Sequence, residues 1–413
     1  MTPAGVTNWL ADRIAAHRPM PVDAFMRAAL TDPEHGYYRR SQAIGASGDF
    51  ITAPEISQIF GELIGIWVAA SWQALGEPTA WRLIELGPGR GTLMADLLRA
   101  LQVLPAARAA LTVQLVEVNE RLRDEQRAKL AGCGVPVGWR DSVDPPLAPL
   151  PTVVIANEFL DALPIRQLVA RDGRWHERMV TTAAHLGLPP SLPLPHQGGG
   201  GGLALVKQAW HLAPLDPSPL EGRGRVGGCL ETEVSATTLA FTASETPIPP
   251  EQLHRLAEPE VPGSICELMS GAADYLRGLA AALADAPQIH LYIDYGHLGP
   301  VQGDTLQAVT SHRYVDLLQA PGAHDLSAQV DFAQIGAAAI SAGLACFGAI
   351  TQAEFLGRLG AAARLERLAA GKEARTIHQL QTGLARLMDP SGMGARFKVL
   401  ALASPGLAVP PVF

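Results

Sequence analysis

Residues 83–92 read Leu83-Ile84-Glu85-Leu86-Gly87-Pro88-Gly89-Arg90-Gly91-Thr92, and this stretch decides the fold. Three alternate glycines follow an apolar run and precede Leu93, Leu97, Leu98 and Leu101, which recur at helical spacing. Strand, glycine turn and helix in that order make a cradle for a nucleotide-like ligand. Glycine accepts positive φ and lets a ligand approach the backbone, while the helix start offers free N–H groups. A dinucleotide site would read GxGxxG, with its third glycine where this chain has Thr92. Here the spacing is GxGxG, and Glu85 stands two residues before the first glycine. A carboxylate at that mouth repels a pyrophosphate and attracts a cation. S-adenosyl-L-methionine carries an ammonium and a sulfonium, so it is the cofactor expected on Glu85, Gly87, Gly89 and Gly91.

Outward from the loop, short apolar runs alternate with helices. Trp81–Leu86, Leu111–Glu117 and Thr152–Ala156 read as strands, as do Gln288–Tyr295 and Phe397–Ala403 further on. The pattern predicts an α/β, Rossmann-like fold with a mainly parallel central sheet covered on both faces, plus added helical elements. Glu117 closes the second strand, where a carboxylate accepts hydrogen bonds from ribose hydroxyls. Trp139 and Asp141 follow the third strand, where an adenine is flanked; Trp139 either stacks on the base or fills a satellite core. Asn157 and Glu158 sit at the carboxyl edge of the strand before them, the ligand edge of open α/β sheets. Asn157 is expected beside the methyl donor. Glu158 suggests a cationic acceptor such as a guanidinium, which a carboxylate orients well.

Composition narrows the class. The chain has 413 residues, 48% of them hydrophobic and 17% charged, with 32 Lys+Arg against 40 Asp+Glu for a net charge of −8. No basic stripe answers to nucleic acid. Cys133, Cys229, Cys266 and Cys346 form no CxxC pair, and the N-terminus carries Asp12, Arg13 and His17. A cytoplasmic protein without a membrane span is therefore expected. The spacing of His297, His312 and His324 fits no metal-ligand set, and no metal is expected. An N-terminal helical region over 1–78 precedes a cofactor-binding core over 79–181. A Pro/Gly-rich insertion over 182–230, read as disordered, interrupts the core, which resumes over 231–413.

Several further stretches carry a resemblance. They are His35-Gly36-Tyr37-Tyr38, Gly48-Asp49-Phe50 with Pro54-Glu55-Ile56-Ser57-Gln58, Phe60-Gly61-Glu62, Asn157–Ile165, Asp294-Tyr295-Gly296-His297, Asp304–Gln307 and Val330-Asp331-Phe332. With the glycine loop, these resemble the MidA-like family of S-adenosylmethionine-dependent methyltransferases, which includes an arginine methyltransferase needed to assemble respiratory complex I. The resemblance implies a class I methyltransferase fold, a cofactor against Gly87, Gly89 and Gly91, and a protein substrate, with a complex I subunit as the suggested partner. In-line transfer to an arginine nitrogen would then use Glu158 to hold the guanidinium, with Glu55 and Asp49 as further acceptor-side candidates. A non-catalytic cofactor-binding assembly factor and a nicotinamide-dependent oxidoreductase are the rival readings, the second disfavoured by Glu85 and Thr92.

Overall fold

The computed structural model describes residues 4–40, 52–143, 149–187, 238–253, 256–259, 261–299, 303–310 and 313–413. Most of the 182–230 segment lies outside these residues. At the centre is a sheet whose main strands are β1 (Trp81–Leu86), β2 (Leu111–Val116), β3 (Val137–Arg140), β4 (Thr152–Asn157), β5 (Gln288–His297), β6 (Ala345–Thr351) and β7 (Phe397–Ala403). Their spatial order is β3-β2-β1-β4-β5-β7-β6, and Val330–Asp331 adds a short parallel pairing at the end of β5. Pairing is parallel from β3 through β5, whereas β7 runs antiparallel to both β5 and β6.

Alternation along the strands shows why both faces are covered. In β1, Leu83 belongs to one apolar core and Ile84 to the other; in β4, Val153 and Ile155 alternate with Val154 and Ala156 in the same way. Successive strand side chains point to opposite faces, so an unbroken apolar run needs a layer on each side. On one side lie α1 (Gln58–Ala74) and α2 (Thr92–Ala100). The other side is closed by the N-terminal helices, with Leu10, Ile14, Phe25 and Met26 inaccessible, and by Ser270–Ala282.

The approach of α1 to α2 depends on a glycine. A Cβ at Gly65 would stand 2.7 Å from the Ala100 Cβ and 2.8 Å from the Leu97 carbonyl. Backbone cannot yield as a flexible side chain does. Gly65→Leu is therefore expected to lower stability by about 1–3 kcal/mol, the range for overpacking a filled core. Urea denaturation followed by circular dichroism measures it.

Two antiparallel sheets join the core alongside the helices the pattern anticipated. One contains Met20–Pro21, Arg166–Arg171, Arg174–Thr182, Leu239–Pro247 and Ile265–Leu268; the other contains Gln307–Thr310, Arg313–Val315 and Asp325–Ser327. Their strands escape a hydrophobic-period search because polar side chains are buried in them. Arg178 Nη1 donates to Asp304 Oδ2 at 2.7 Å, and Gln167 Nε2 donates to Glu267 Oε1 at 2.7 Å. Glu267 also accepts from the Thr305 N–H at 3.0 Å. Thus Asp304-Thr305 and Glu267 join the first small sheet to a neighbouring loop. Among the described residues no helix is long and apolar enough to cross a membrane.

Candidate active site

The strand order reverses between β1 and β4, and the crevice outside their carboxyl ends is where open α/β sheets bind ligands. A pocket lies there, lined by Glu55, Glu85, Gly87, Gly89, Arg90, Thr92, Asn157 and Glu158 among others. The glycine loop adopts φ of +61° at Gly87, +53° at Gly89 and +75° at Gly91. Gly91 caps α2, and Thr92 is the first residue of that helix. Thr92 thus occupies the place of a dinucleotide fingerprint's third glycine, and its hydroxyl donates to Glu55 Oε1.

That contact explains a departure from the sequence pattern. Thr52 and Glu55 have the spacing of a capping box, yet the Thr52 side chain caps nothing and α1 is instead capped by Ser57, whose Oγ accepts from the Ile59 N–H at 3.3 Å. Glu55 faces the cofactor loop. Asp49 lies outside the described residues.

A residue that pattern reading passed over organises the far side of the loop. Gln126 on α3 (Glu120–Leu130) is fully buried. Its Nε2 donates to the Gly89 carbonyl at 2.6 Å and lies 3.5 Å from Glu117 Oε2, while its Oε1 accepts the Trp139 indole N–H at 2.8 Å. Glu117, buried after β2, also accepts the Asn119 N–H at 2.8 Å. Asn119 in turn caps α3 and donates its side-chain amide to the Tyr38 carbonyl at 2.8 Å. The helical spacing of Gln126 with Leu122 and Leu130 was its only signal in the sequence.

Trp139 and Asp141 are not brought to the pocket wall. The Arg127 guanidinium lies 5.2 Å from the Trp139 ring centroid, which gives that ring a cationic neighbour. Asp141 has a side chain 70% exposed and pairs with Arg123. In this structure the Asp141 carboxylate is engaged by Arg123. His297 Nδ1 lies 2.5 Å from the Gly299 carbonyl, a local loop contact, and His312 is outside the described residues.

The electrostatics of the pocket fit a cationic ligand. Glu85 is 3% exposed, and its Oε2 is buried with no hydrogen-bond partner among the described residues; the same holds for Asn157 Oδ1. Two orphaned acceptors on one pocket wall call for a ligand with donors or positive charge, because a buried acceptor left unmade is costly. Burial pushes the Glu85 carboxyl from 4.5 up to about 8. The ammonium and sulfonium of S-adenosylmethionine suit that wall.

A stability prediction follows from the Glu85 shift. The folded-state pKa lies above the unfolded value, so the folded protein holds an extra proton between about 4.5 and about 8. Ligand-free stability therefore falls as pH rises through that window and levels off above it. Glu85→Gln is expected to remove this component, so its stability relative to wild type climbs from pH 5 to pH 8 in urea titrations (roughly one to several kcal/mol). A parallel pH dependence in both proteins would contradict the shift.

Glu158 follows β4 with φ +52°, a left-handed conformation rare for a residue with a long side chain. Its Oε1 accepts the Ala53 N–H and the Asn157 side-chain amide, both at 3.1 Å. Burial pushes its carboxyl from 4.5 up to about 7, with the nearby Asp161 adding to the rise. Asp161 itself is raised to about 6 by burial. Three acids, Glu158, Asp161 and Asp294, thus share one small volume beside the pocket, an arrangement that a bound cation relieves.

Comparison with known proteins gives the family. The family described as "Putative S-adenosyl-L-methionine-dependent methyltransferase" matches residues 63–350. A curated relative from Danio rerio, named protein arginine methyltransferase NDUFAF7, mitochondrial, is 32% identical over 422 residues, covering 96% of this chain and 86% of the relative. Its human counterpart of the same name is 31% identical over 414 residues, covering 94% and 81%. A Burkholderia thailandensis protein solved with S-adenosyl-homocysteine bound superposes with a TM-score of 0.75 at 24% identity, over 99% of this chain and 94% of that one. The "mitochondrial" in both curated names overturns the cytoplasmic expectation. Scattered thiols speak to redox state, which is not an address. With the family matched over most of its length and relatives above 30% identity along nearly all of it, the chain belongs to the S-adenosyl-L-methionine-dependent methyltransferases, and S-adenosyl-L-methionine is its cofactor.

Proposed function

We propose that the chain methylates an arginine side chain of a protein substrate, with a subunit of respiratory complex I as the partner. The observation that carries this reading is Glu158: a carboxylate held at the lip of the cofactor pocket, short of solvent and beside two further acids. A guanidinium is the protein cation that two-oxygen acceptors orient best. The arginine named for the curated relatives points the same way.

When bound, S-adenosylmethionine supplies an electrophilic methyl group on a sulfonium. Gly87, Gly89 and Gly91 let the cofactor lie against the backbone, and Glu85 and Asn157 offer their vacant lone pairs to its positive end. Glu117, at the end of β2, would accept from the ribose hydroxyls. Glu158 holds the guanidinium so that one nitrogen faces the methyl in line, an alignment that removes much of the entropic barrier. Once methylated, the guanidinium would have a proton to lose. A Glu158 oxygen takes that proton, which suits a group whose carboxyl sits near 7.

The test is to incubate the full chain with S-adenosylmethionine and purified complex I subunits, then map products by tandem mass spectrometry. Methylarginine that depends on both enzyme and cofactor is the expected product. Methylation confined to lysine, or cofactor binding without any transfer, would contradict the proposal.

A further inference from the structure

We infer that Asp294 is the positioning residue that sets Glu158 against the acceptor, an inference that rests on the arginine reading above. Asp294 lies in β5, where Ile293 pairs with Asn157 of β4 and the Ile293 carbonyl accepts the Glu158 N–H at 2.8 Å. The carboxylate is 1% exposed. One of its oxygens, Oδ2, accepts three successive main-chain N–H groups, from Phe159 at 3.1 Å, Leu160 at 2.9 Å and Asp161 at 3.2 Å. The other, Oδ1, accepts the N–H of Tyr295 at 2.9 Å.

This arrangement answers why Glu158 keeps its φ of +52°. A left-handed residue with a β-carbon is strained and persists only where its surroundings over-determine it. Here the strand ladder fixes the chain before Glu158, and Asp294 gathers the three amides after it. The loop has no other freedom: its direction on leaving β4 is set from both ends. The Glu158 side chain is consequently aimed back toward Ala53 and the pocket. Asp294 is not itself in the pocket lining, so it acts through Glu158.

The inference makes Asp294 and Glu158 a single unit, and groups that act as a unit are not additive. Asp294→Asn replaces an acceptor with an amide that cannot receive all four donors. The expected result is unchanged affinity for S-adenosylhomocysteine with kcat for arginine methylation lower by about 10²-fold, the cost of a misplacement near 1 Å. The Asp294→Asn, Glu158→Gln double variant should be no more than about threefold slower than the slower single variant. A merely structural Asp294 would lower thermal stability and cofactor affinity together and would multiply with Glu158→Gln. That multiplicative result, with Glu158→Gln itself damaging, overturns the inference alone. A silent Glu158→Gln overturns the arginine reading's catalytic assignment and the inference with it. Should Asp294→Asn not fold, hydrogen exchange on the wild-type protein decides. The amides of Phe159, Leu160 and Asp161 are expected to exchange as slowly as strand amides of β4, and exchange at the rate of an unrestrained loop refutes the anchor.

Discussion

Glu158→Gln is expected to bind S-adenosylhomocysteine as wild type does and to lose arginine methylation by at least about 10²-fold, the lower range for removing a positioned proton acceptor. Binding is expected to survive because the proposed mechanism gives Glu158 to the acceptor, and Glu85, Asn157 and the glycines of the same pocket to the cofactor. Glutamine keeps the shape and one acceptor oxygen but carries no charge and takes no proton. A pH signature accompanies the loss. The wild-type carboxyl is raised to about 7 in the absence of a cation, and the ionised form is the one that receives guanidinium. Thus kcat/KM for the acceptor falls as pH drops below about 7 and is flat above it, and Glu158→Gln abolishes that limb. Steady-state rates across pH 5.5–8.5, with calorimetry on the same preparations, check both halves. Full activity in the variant would remove Glu158 from the mechanism.

Gly87→Val is the second large effect, and it acts on the cofactor. The residue sits at φ +61°, and a Cβ there would come within 3.0 Å of the Phe159 ring. Valine combines a β-branched side chain with a left-handed backbone, a genuine outlier that costs about 1–3 kcal/mol. Gly87 lines the pocket beside Pro88 and Gly89, so the added methyl groups would also crowd the loop that holds the ligand. Affinity for S-adenosylhomocysteine is expected to fall by at least about 10²-fold, since the strain and the steric block add. Gly87→Ala, with the same strain and less bulk, is expected to lose less. Calorimetric titration of both variants distinguishes a blocked pocket from a globally unfolded chain when paired with circular dichroism.

What the chain disclosed in advance follows from where apolar periodicity survives. β1 and β4 are buried along their whole length and β2 on its Leu111, Val113 and Leu115 side, so each keeps enough apolar residues to be legible as a strand within a residue of its end. The glycine loop was legible because only glycine satisfies three positive φ values in five residues. Elsewhere the period is lost. The strand Arg174–Thr182 buries His176, Glu177, Arg178, Thr181 and Thr182, so its burial pattern has no counterpart in hydropathy. β7 was legible as a strand, but its antiparallel direction depends on tertiary pairing with β5 and β6.

The candidate site divides in the same way. Glu85 and Glu158 stood out because acids at strand ends contradict an apolar pattern. Gln126 did not, and Asp294 was visible only as part of its motif, since the partners of both are drawn from distant segments. Trp139 was visible as an aromatic at the right strand end. Its engagement with Gln126 and Arg127 was not, because neither distance is written in local spacing.

The most direct test is calorimetric titration of S-adenosylmethionine into the wild-type protein and Glu85→Gln at pH 7, in buffers of different ionisation enthalpy. The account predicts one saturable site per wild-type chain. Because burial raises the Glu85 carboxyl to about 8, it keeps its proton at pH 7 until a cation meets it, so proton release should accompany binding and vanish in the variant along with most of the affinity. Folded wild type that binds no cofactor, or Glu85→Gln that binds as tightly with the same proton release, would contradict it.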